Sequence, residues 1–409
     1  MGQLFIYNEG SRAAIYGVGT YLQQLIHCAN EGLEVNVVSL YSEKPEFTVD
    51  YENGIRIFSI PKNQLKYKDN QCDENYYLNS VYLLYNFIDV NKKVIFHFNY
   101  FRYKRLFSLL RELFPSSKII LTIHYFNWCF LLNGNTNYFK EIIHKTDNDL
   151  NILEKKVKKY YLEEYAILNA VDFVVCLSNY AKNLLISEYD IPEIKTSVVY
   201  NGLLDGNDML TFSEKCNRKK NLYLSERDKV LLFVGRLDDI KGVDFMINAF
   251  KKVLEYNSNC ILFIIGDGDF ARYLQESKAL HCKILFTGKL DKKELYSYYQ
   301  IADVGIMLSK HEQCSFVAIE MMMHGIPILA TDSTGLDEMV VNGVNGFKAK
   351  TIENKENVSF NIVECADLLT SMLKEEKNAL LKKGSRIFYE AHYSLNMMID
   401  KMQRLYNYI

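Results

Sequence analysis

The sequence predicts an α/β protein made of two doubly wound parallel-sheet domains, and three observations carry that expectation. The chain has 409 residues, more than one hydrophobic core usually serves. Short, continuous apolar runs recur along it, each followed by a segment of helix length. The second half repeats this unit regularly, the first half more loosely. Continuous apolar strands are what a sheet buried on both faces requires, and their alternation with helices gives parallel, right-handed crossovers.

In order, the first-half runs are LFIYN (4–8), VNVVSL (35–40), VIFHF (94–98), IILTIH (119–124), VDFVVCLS (171–178) and SVVYN (197–201). Those of the second half are KVLLFVG (229–235), CILFIIGDG (260–268), KILFTG (283–288), DVGIMLS (303–309) and IPILAT (326–331). Polar insertions interrupt the first half at 41–53, 62–76 and 127–150. The stretch 201–229 is polar, charged and without period, which makes 204–228 the expected linker. The expected domains are then 1–203 and 229–385, with ligand bound in a cleft outside the carboxyl ends of the strands.

Composition narrows the function. The chain is 49% hydrophobic and 24% charged with a formal net charge of −2, a balance that gives nucleic acid no purchase. Nine cysteines without a CxxC pair read as reduced thiols, not as disulfides or a metal site. The start MGQLFIYNEG lacks a signal-peptide pattern and has Ile6 where myristoylation needs Ser or Thr. No apolar run reaches the ~18 residues of a membrane span. A cytoplasmic protein follows, at most peripheral on the inner face of a membrane.

The segment HEQCSFVAIE (311–320) sets Glu312 and Glu320 eight positions apart. On one helix that spacing means ~12 Å of rise, too far for a paired acid–base site at ~5–10 Å. Glu312 is therefore expected in the loop after DVGIMLS and Glu320 on the following helix. QCSF would then present helix N-terminal N–H groups to an anion. A ligand with hydroxyls at both ends and phosphate between fits that layout, as a nucleotide-diphosphate sugar does. The plainer alternative is a surface glutamate before a helix and another on its solvent side. GRLDDIKGVDF (235–245) carries Arg236 and Lys241 on the turn after a buried strand, where two cations would neutralise a diphosphate. Alone, it would equally be an exposed basic turn.

Together, GRLDDIKGVDF, IIGDGD, HEQCSFVAIE with MMMHGIPILATDSTGLDEMV, and VVYNGL (198–203) resemble the ordered signature of retaining glycosyltransferases of family 4, which have the GT-B fold. AIYGVGTYLQQL (14–25), LTIHYF (121–126) and CLSNYAKNLL (176–185) match the family more loosely, and the terminal stretch 386–409 resembles the helices that cross back to its first domain. The resemblance implies that the first domain binds acceptor and the second a nucleotide-sugar donor. Glu312 would contact the donor sugar, and amides around Cys314, Ser315 and Phe316 the phosphates. Glu320 would meet the ribose, and Arg236 and Lys241 the diphosphate. His124 would face the sugar across the cleft, and Gly17 and Gly19 would allow close approach to donor phosphates or acceptor. Gly266 and the stretch Gly288, Lys289, Leu290 would border the donor. The family reacts without a firmly placed protein nucleophile, cofactor or required metal. Its usual Phe-Gly after the first glutamate is here Cys314-Ser315, and a later Gly-Gly pair is Thr334-Gly335.

Rival readings are specific. GDGDFA (266–271) with Asp291 about 20 residues on fits a relaxed dinucleotide fingerprint, and hence an NAD-dependent oxidoreductase. Asp267 and Asp269 form a DxD that a metal-dependent transferase would use, or a turn and helix cap. A catalytically idle partner of another transferase is the third. His97 and His311 are either site residues or satisfied packing histidines. KKVKKYYLEEYAI (155–167) is either a solvated helix face or a contact for an anionic membrane.

Overall fold

The computed structural model describes residues 2–9, 17–29, 32–62, 70–206, 210–355 and 357–409, without the side chains of 70–74. It divides into two units. The first comprises Met1–Asn127, Asp147–Tyr200 and Asn396–Ile409, the second Trp128–Thr146 and Asn201–Leu395.

The first unit holds β1 (Gly2–Glu9), β2 (Leu33–Ser42), β3 (Thr48–Glu52), β4 (Ile55–Pro61), β5 (Val94–Phe98), β6 (Lys118–Ile123), β7 (Phe173–Cys176) and β8 (Thr196–Val198). They lie in the order β3-β4-β2-β1-β5-β6-β7-β8, parallel except for β3 against β4. All five residues of β5 are buried, which is why its apolar run is unbroken. Tyr7 and Phe98 stack across β1 and β5 with ring centres 4.2 Å apart. The hairpin β3–β4 lies partly in the expected insertion 41–53. It turns on Asn53 and Gly54, both left-handed at φ 50° and 79°, the residue pair such tight turns favour. Exposed Tyr51 and Glu52 on this edge strand break the apolar run that marks the other strands. Much of the insertion 62–76 lies outside the described residues.

In the second unit, β9 (Lys229–Val234), β10 (Cys260–Ile265), β11 (Ile284–Gly288), β12 (Val304–Met307), β13 (Ile328–Thr331) and β14 (Gly346–Ala349) form a parallel sheet ordered β11-β10-β9-β12-β13-β14. β15 (Thr351–Glu353) and β16 (Val358–Phe360) add a hairpin. Leu231, Leu262, Val304 and Leu329 are among the strand residues of a core shared with the helices Val243–Tyr256 and Ile362–Met372.

Three boundaries differ from the sequence expectation. Residues 128–146, expected as an insertion of the first domain, belong to the second unit. Trp128 is wholly buried there, stacked on Phe139 at 4.1 Å and edge-on to His311 at 5.8 Å. The expected linker 204–228 also belongs to the second unit and contains a helix, Phe212–Asn221, started by a Thr211–Glu214 capping box. At the end of the chain the helix Glu375–His392 stays with the second unit, where Ser385 Oγ donates to the Ile326 carbonyl at 2.7 Å. Only 396–409 joins the first unit. There Lys93 Nζ donates to the Tyr406 carbonyl at 2.7 Å. The Tyr406 hydroxyl lies 2.8 Å from His97 Nδ1, whose Nε2 is 2.7 Å from Thr122 Oγ1. His97 is thus a satisfied packing histidine, and burial lowers its pKa to about 3.

Candidate active site

In the second sheet the strand order reverses between β9 and β12, which are neighbours. Loops leaving the carboxyl ends of such a pair diverge and leave a crevice. The two segments singled out by sequence leave from these two strands. After β9, Asp238 starts a single 3-10 turn, Asp239–Lys241, by accepting from the Lys241 N–H at 3.2 Å. Arg236 lies 3.0 Å from Asp238 with its side chain 37% exposed. Lys241 Nζ reaches across to the Glu312 carboxylate, which follows β12, in a close ion pair. Ser309 Oγ donates to the same carboxylate oxygen at 3.1 Å.

The Glu312 backbone is gripped from β13's side. Its N–H donates to Thr334 Oγ1 at 2.9 Å, and that hydroxyl donates to the Glu312 carbonyl at 2.7 Å. The Gly335 N–H donates to the same carbonyl at 2.8 Å. Thr334 is left-handed at φ 51°, a conformation that costs a β-branched residue roughly 1–2 kcal/mol. A Cβ on Gly335 would stand 1.7 Å from the Gln313 carbonyl oxygen, so only glycine fits. Thr334 therefore supplies a clamp that the family's usual glycine lacks. Asn201 Nδ2 donates to the Cys314 carbonyl at 2.6 Å and fixes the next residues. Sequence reasoning assigned no role to Thr334, Ser309 or Asn201; the one available signal was that Asn201 lies within VVYNGL.

Glu312 lies in the loop and Glu320 on the helix Phe316–Met323, as their spacing implied. Ser315 caps that helix by accepting from Ala318 N–H at 3.4 Å, and its own N–H points at Met339 Sδ at 3.4 Å. The Ser315 amide expected to meet phosphate is therefore already engaged; Phe316 opens the first helical turn, and Cys314 is buried. Glu320 accepts from the Tyr299 hydroxyl at 2.9 Å. Burial raises the Glu320 pKa, against the Tyr299 hydrogen bond and Lys292, which lower it. The two glutamates have separate partners, Lys241 and Tyr299, and form no carboxylate dyad.

Gly266 after β10, and Gly288, Lys289 and Leu290 at the end of β11, occupy the same carboxyl edge. Cβ atoms on Gly266 and Gly268 would stand 1.8 Å from the Gly235 carbonyl oxygen and 2.4 Å from that of Leu237. These glycines let one loop pack on another, which accounts for them without a dinucleotide. Asp269 accepts from Arg272 N–H at 3.4 Å as a helix cap. His311 is buried beside Trp128, with its pKa lowered to about 4 by burial.

His124, Gly17 and Gly19 belong to the first unit. His124 follows β6, with Nε2 3.2 Å from Asn99 Oδ1 and its ring edge-on to Tyr21 at 4.6 Å. Burial lowers its pKa to about 3, so it is neutral at pH 7. Gly17 and Gly19 open the helix Gly17–His27; residues 14–16 of the quoted motif lie outside the described residues.

Comparison with known proteins identifies the family and the fold. The family model "Glycosyl transferases group 1" matches residues 215–378, and "Glycosyltransferase Family 4" matches 15–203. The chain belongs to glycosyltransferase family 4. This family 4 chain is 34% identical over 180 residues to an uncharacterized glycosyltransferase of Methanocaldococcus jannaschii, covering 42% of the chain and 45% of the relative. It is 21% identical over 299 residues to a lipopolysaccharide 1,2-N-acetylglucosaminetransferase of Salmonella typhimurium, covering 70% and 66%. The chain thus spans less than two thirds of the length of these relatives. The Anabaena protein Alr3699/HepE, solved in complex with UDP and glucose, superimposes with a TM-score of 0.72 over all of both chains at 13% identity. The fold is GT-B.

Proposed function

We propose that this protein is a retaining glycosyltransferase. It moves a hexosyl-type unit from a nucleotide-diphosphate sugar, with UDP the favoured carrier, to a glycan, lipid-linked or small-molecule or peptide acceptor. The observation that carries this reading is the Lys241–Glu312 pair at the strand-order reversal, with Arg236 beside it. Arg236 and Lys241 lie on one turn; paired here with Asp238 and Glu312, they would exchange those carboxylates for the departing diphosphate and stabilise it without a required metal. The start of the helix Phe316–Met323 adds N–H groups and its dipole. Glu312 accepts from hydroxyls of the transferred sugar, and Glu320, braced by Tyr299, from the ribose. As the resemblance to retaining family 4 enzymes implies, the leaving phosphate would take the acceptor's proton on the face it departs from and the anomeric configuration would be kept; Glu312 and Glu320, held by Lys241 and Tyr299, are not arranged as an acid–base pair.

Two likenesses support the sugar class. The Salmonella relative is named for transfer of N-acetylglucosamine, and the Anabaena structure holds UDP and glucose. Among the described residues no helix is long and apolar enough to cross a membrane.

Thermal denaturation with UDP, GDP, ADP and their glucose conjugates, with and without EDTA, tests the reading. UDP at 100 times its dissociation constant should stabilise by ~2.7 kcal/mol, unaffected by EDTA. Stabilisation by no nucleotide would sink the donor assignment, and stabilisation only with manganese would sink metal independence. NMR of the product's anomeric proton decides retention.

A further inference from the structure

A cavity of about 680 Å³ opens in the first unit, against the helix Ile152–Ala170 and the residues that follow β5. That is the size of pocket small molecules occupy. Its walls carry five cations, Arg102, Lys104, Lys155, Lys158 and Lys159, against two acids, Asp147 and Glu163. The chain as a whole has a formal net charge of −2, so this excess of positive charge is local. Between the cations lie Phe101, Tyr103, Leu150, Leu162 and Ile167, and Leu162 is 55% exposed. None of these residues has a task in the donor site.

The charges differ in their freedom. Lys158 faces Asp147 at 3.1 Å and Lys159 faces Glu163 at 3.8 Å. Arg102 is held 3.1 Å from Glu9, a carboxylate only 2% exposed at the end of β1. The Tyr103 hydroxyl also donates to Glu9, and Tyr103 is buried in a left-handed conformation at φ 73°. A buried carboxylate and a strained tyrosine thus fix this rim in place. Lys104 and Lys155 are exposed and have no carboxylate partner among the described residues.

We propose that this cavity anchors the acceptor, and that the acceptor is an amphipathic phosphate ester. Its phosphate or diphosphate lies between Lys104, Lys155 and Arg102, and its apolar or ring-faced body lies on Phe101, Leu150 and Leu162. Lysines bind phosphate as point charges, and arginine adds directional donors. The assignment rests on the transferase reading above, because it names the acceptor's class.

Calorimetric titration with farnesyl diphosphate tests it, with UDP saturating so that the donor site cannot take the probe. Farnesyl diphosphate is expected to bind, and farnesol at least 10-fold more weakly. The double variant Lys104→Gln/Lys155→Gln is expected to bind farnesyl diphosphate at least 10-fold more weakly while its UDP affinity stays within twofold. Unchanged probe affinity in that variant would overturn the assignment, as would a protein that binds UDP but no diphosphate probe. Failure to bind UDP would strike the transferase reading instead. Competition by glucose 1-phosphate would indicate a soluble phosphate ester, and its absence a lipid carrier; either keeps the class. Co-sedimentation with anionic vesicles that needs the two lysines, without binding of the monomeric probe, would make this face a membrane contact and end the proposal.

Discussion

The strand β12 has a lysine-bound carboxylate at each end, and the two ends differ in kind. At its amino end, Asp303 lies 2.9 Å from Lys382, 3.3 Å from Lys215 and 3.7 Å from Lys219, and accepts from Val230 N–H at 2.9 Å. Its side chain is 9% exposed. Burial alone would raise its pKa, but Lys382, Lys215 and Lys219 outweigh it and hold the carboxyl well below the usual carboxylate range. At the carboxyl end, Glu312 has one lysine and one serine, on a loop held by a threonine in an unfavourable conformation. The same chemistry locks the fold where helices return to the sheet and equips a site where loops diverge from it. An ion pair's role is set by how many of its valences the fold has already filled.

This contrast yields graded tests. The largest effect is expected from Asp303→Asn, which leaves three lysines without their counter-charge and should cost about 3–5 kcal/mol by urea denaturation. Activity per folded molecule should stay normal. Because the Asp303 pKa is depressed in the folded state, its stabilisation is complete above the unfolded value of about 4 and fades as pH falls below it. The gap between parent and variant should therefore narrow in acid; a gap that widens would break the comparison. Next, Glu312→Ala and Lys241→Ala should each lower transfer about 100–1,000-fold while melting changes little. Near-normal rates in both would refute the site. The smallest effect belongs to Thr334. Thr334→Ser keeps the hydroxyl and should stay within about threefold of the parent kcat/KM. Thr334→Gly should run about 10-fold slower for want of the clamp, with little net change in melting, because the ~1 kcal/mol of backbone strain relieved is offset by the two lost hydrogen bonds of roughly 1 kcal/mol each. A rate that stayed at the parent level would make Thr334 merely structural.

Much of this was legible in the sequence. The parallel strands show because burial on both faces demands unbroken apolar runs, and Glu312 and Glu320 separate because a short apolar strand must end before a helix begins. The pairing of Lys241 with Glu312 was not legible. The reading gave them separate ligand groups, and only the adjacency of β9 and β12 shows that in this structure they neutralise each other. The β3–β4 hairpin hid behind exposed polar side chains, although its Asn-Gly turn was a usable signal. Cys314-Ser315 in place of Phe-Gly proved to be a buried residue and a helix cap, and a capping serine is readable in retrospect. The unit boundaries escaped because chain order says nothing about which core a tryptophan will join.

That last point bears on inheritance. Trp128 and the rest of 128–146 are encoded within the first half yet complete the packing of the second unit. A crossover between two related genes at a junction near residue 200 would unite one parent's 128–146 with the other parent's His311 and its surroundings. Exchange of donor specificity by shuffling halves should then succeed chiefly when this inner segment travels with the half it packs against, and the two halves should diverge as partners that constrain each other.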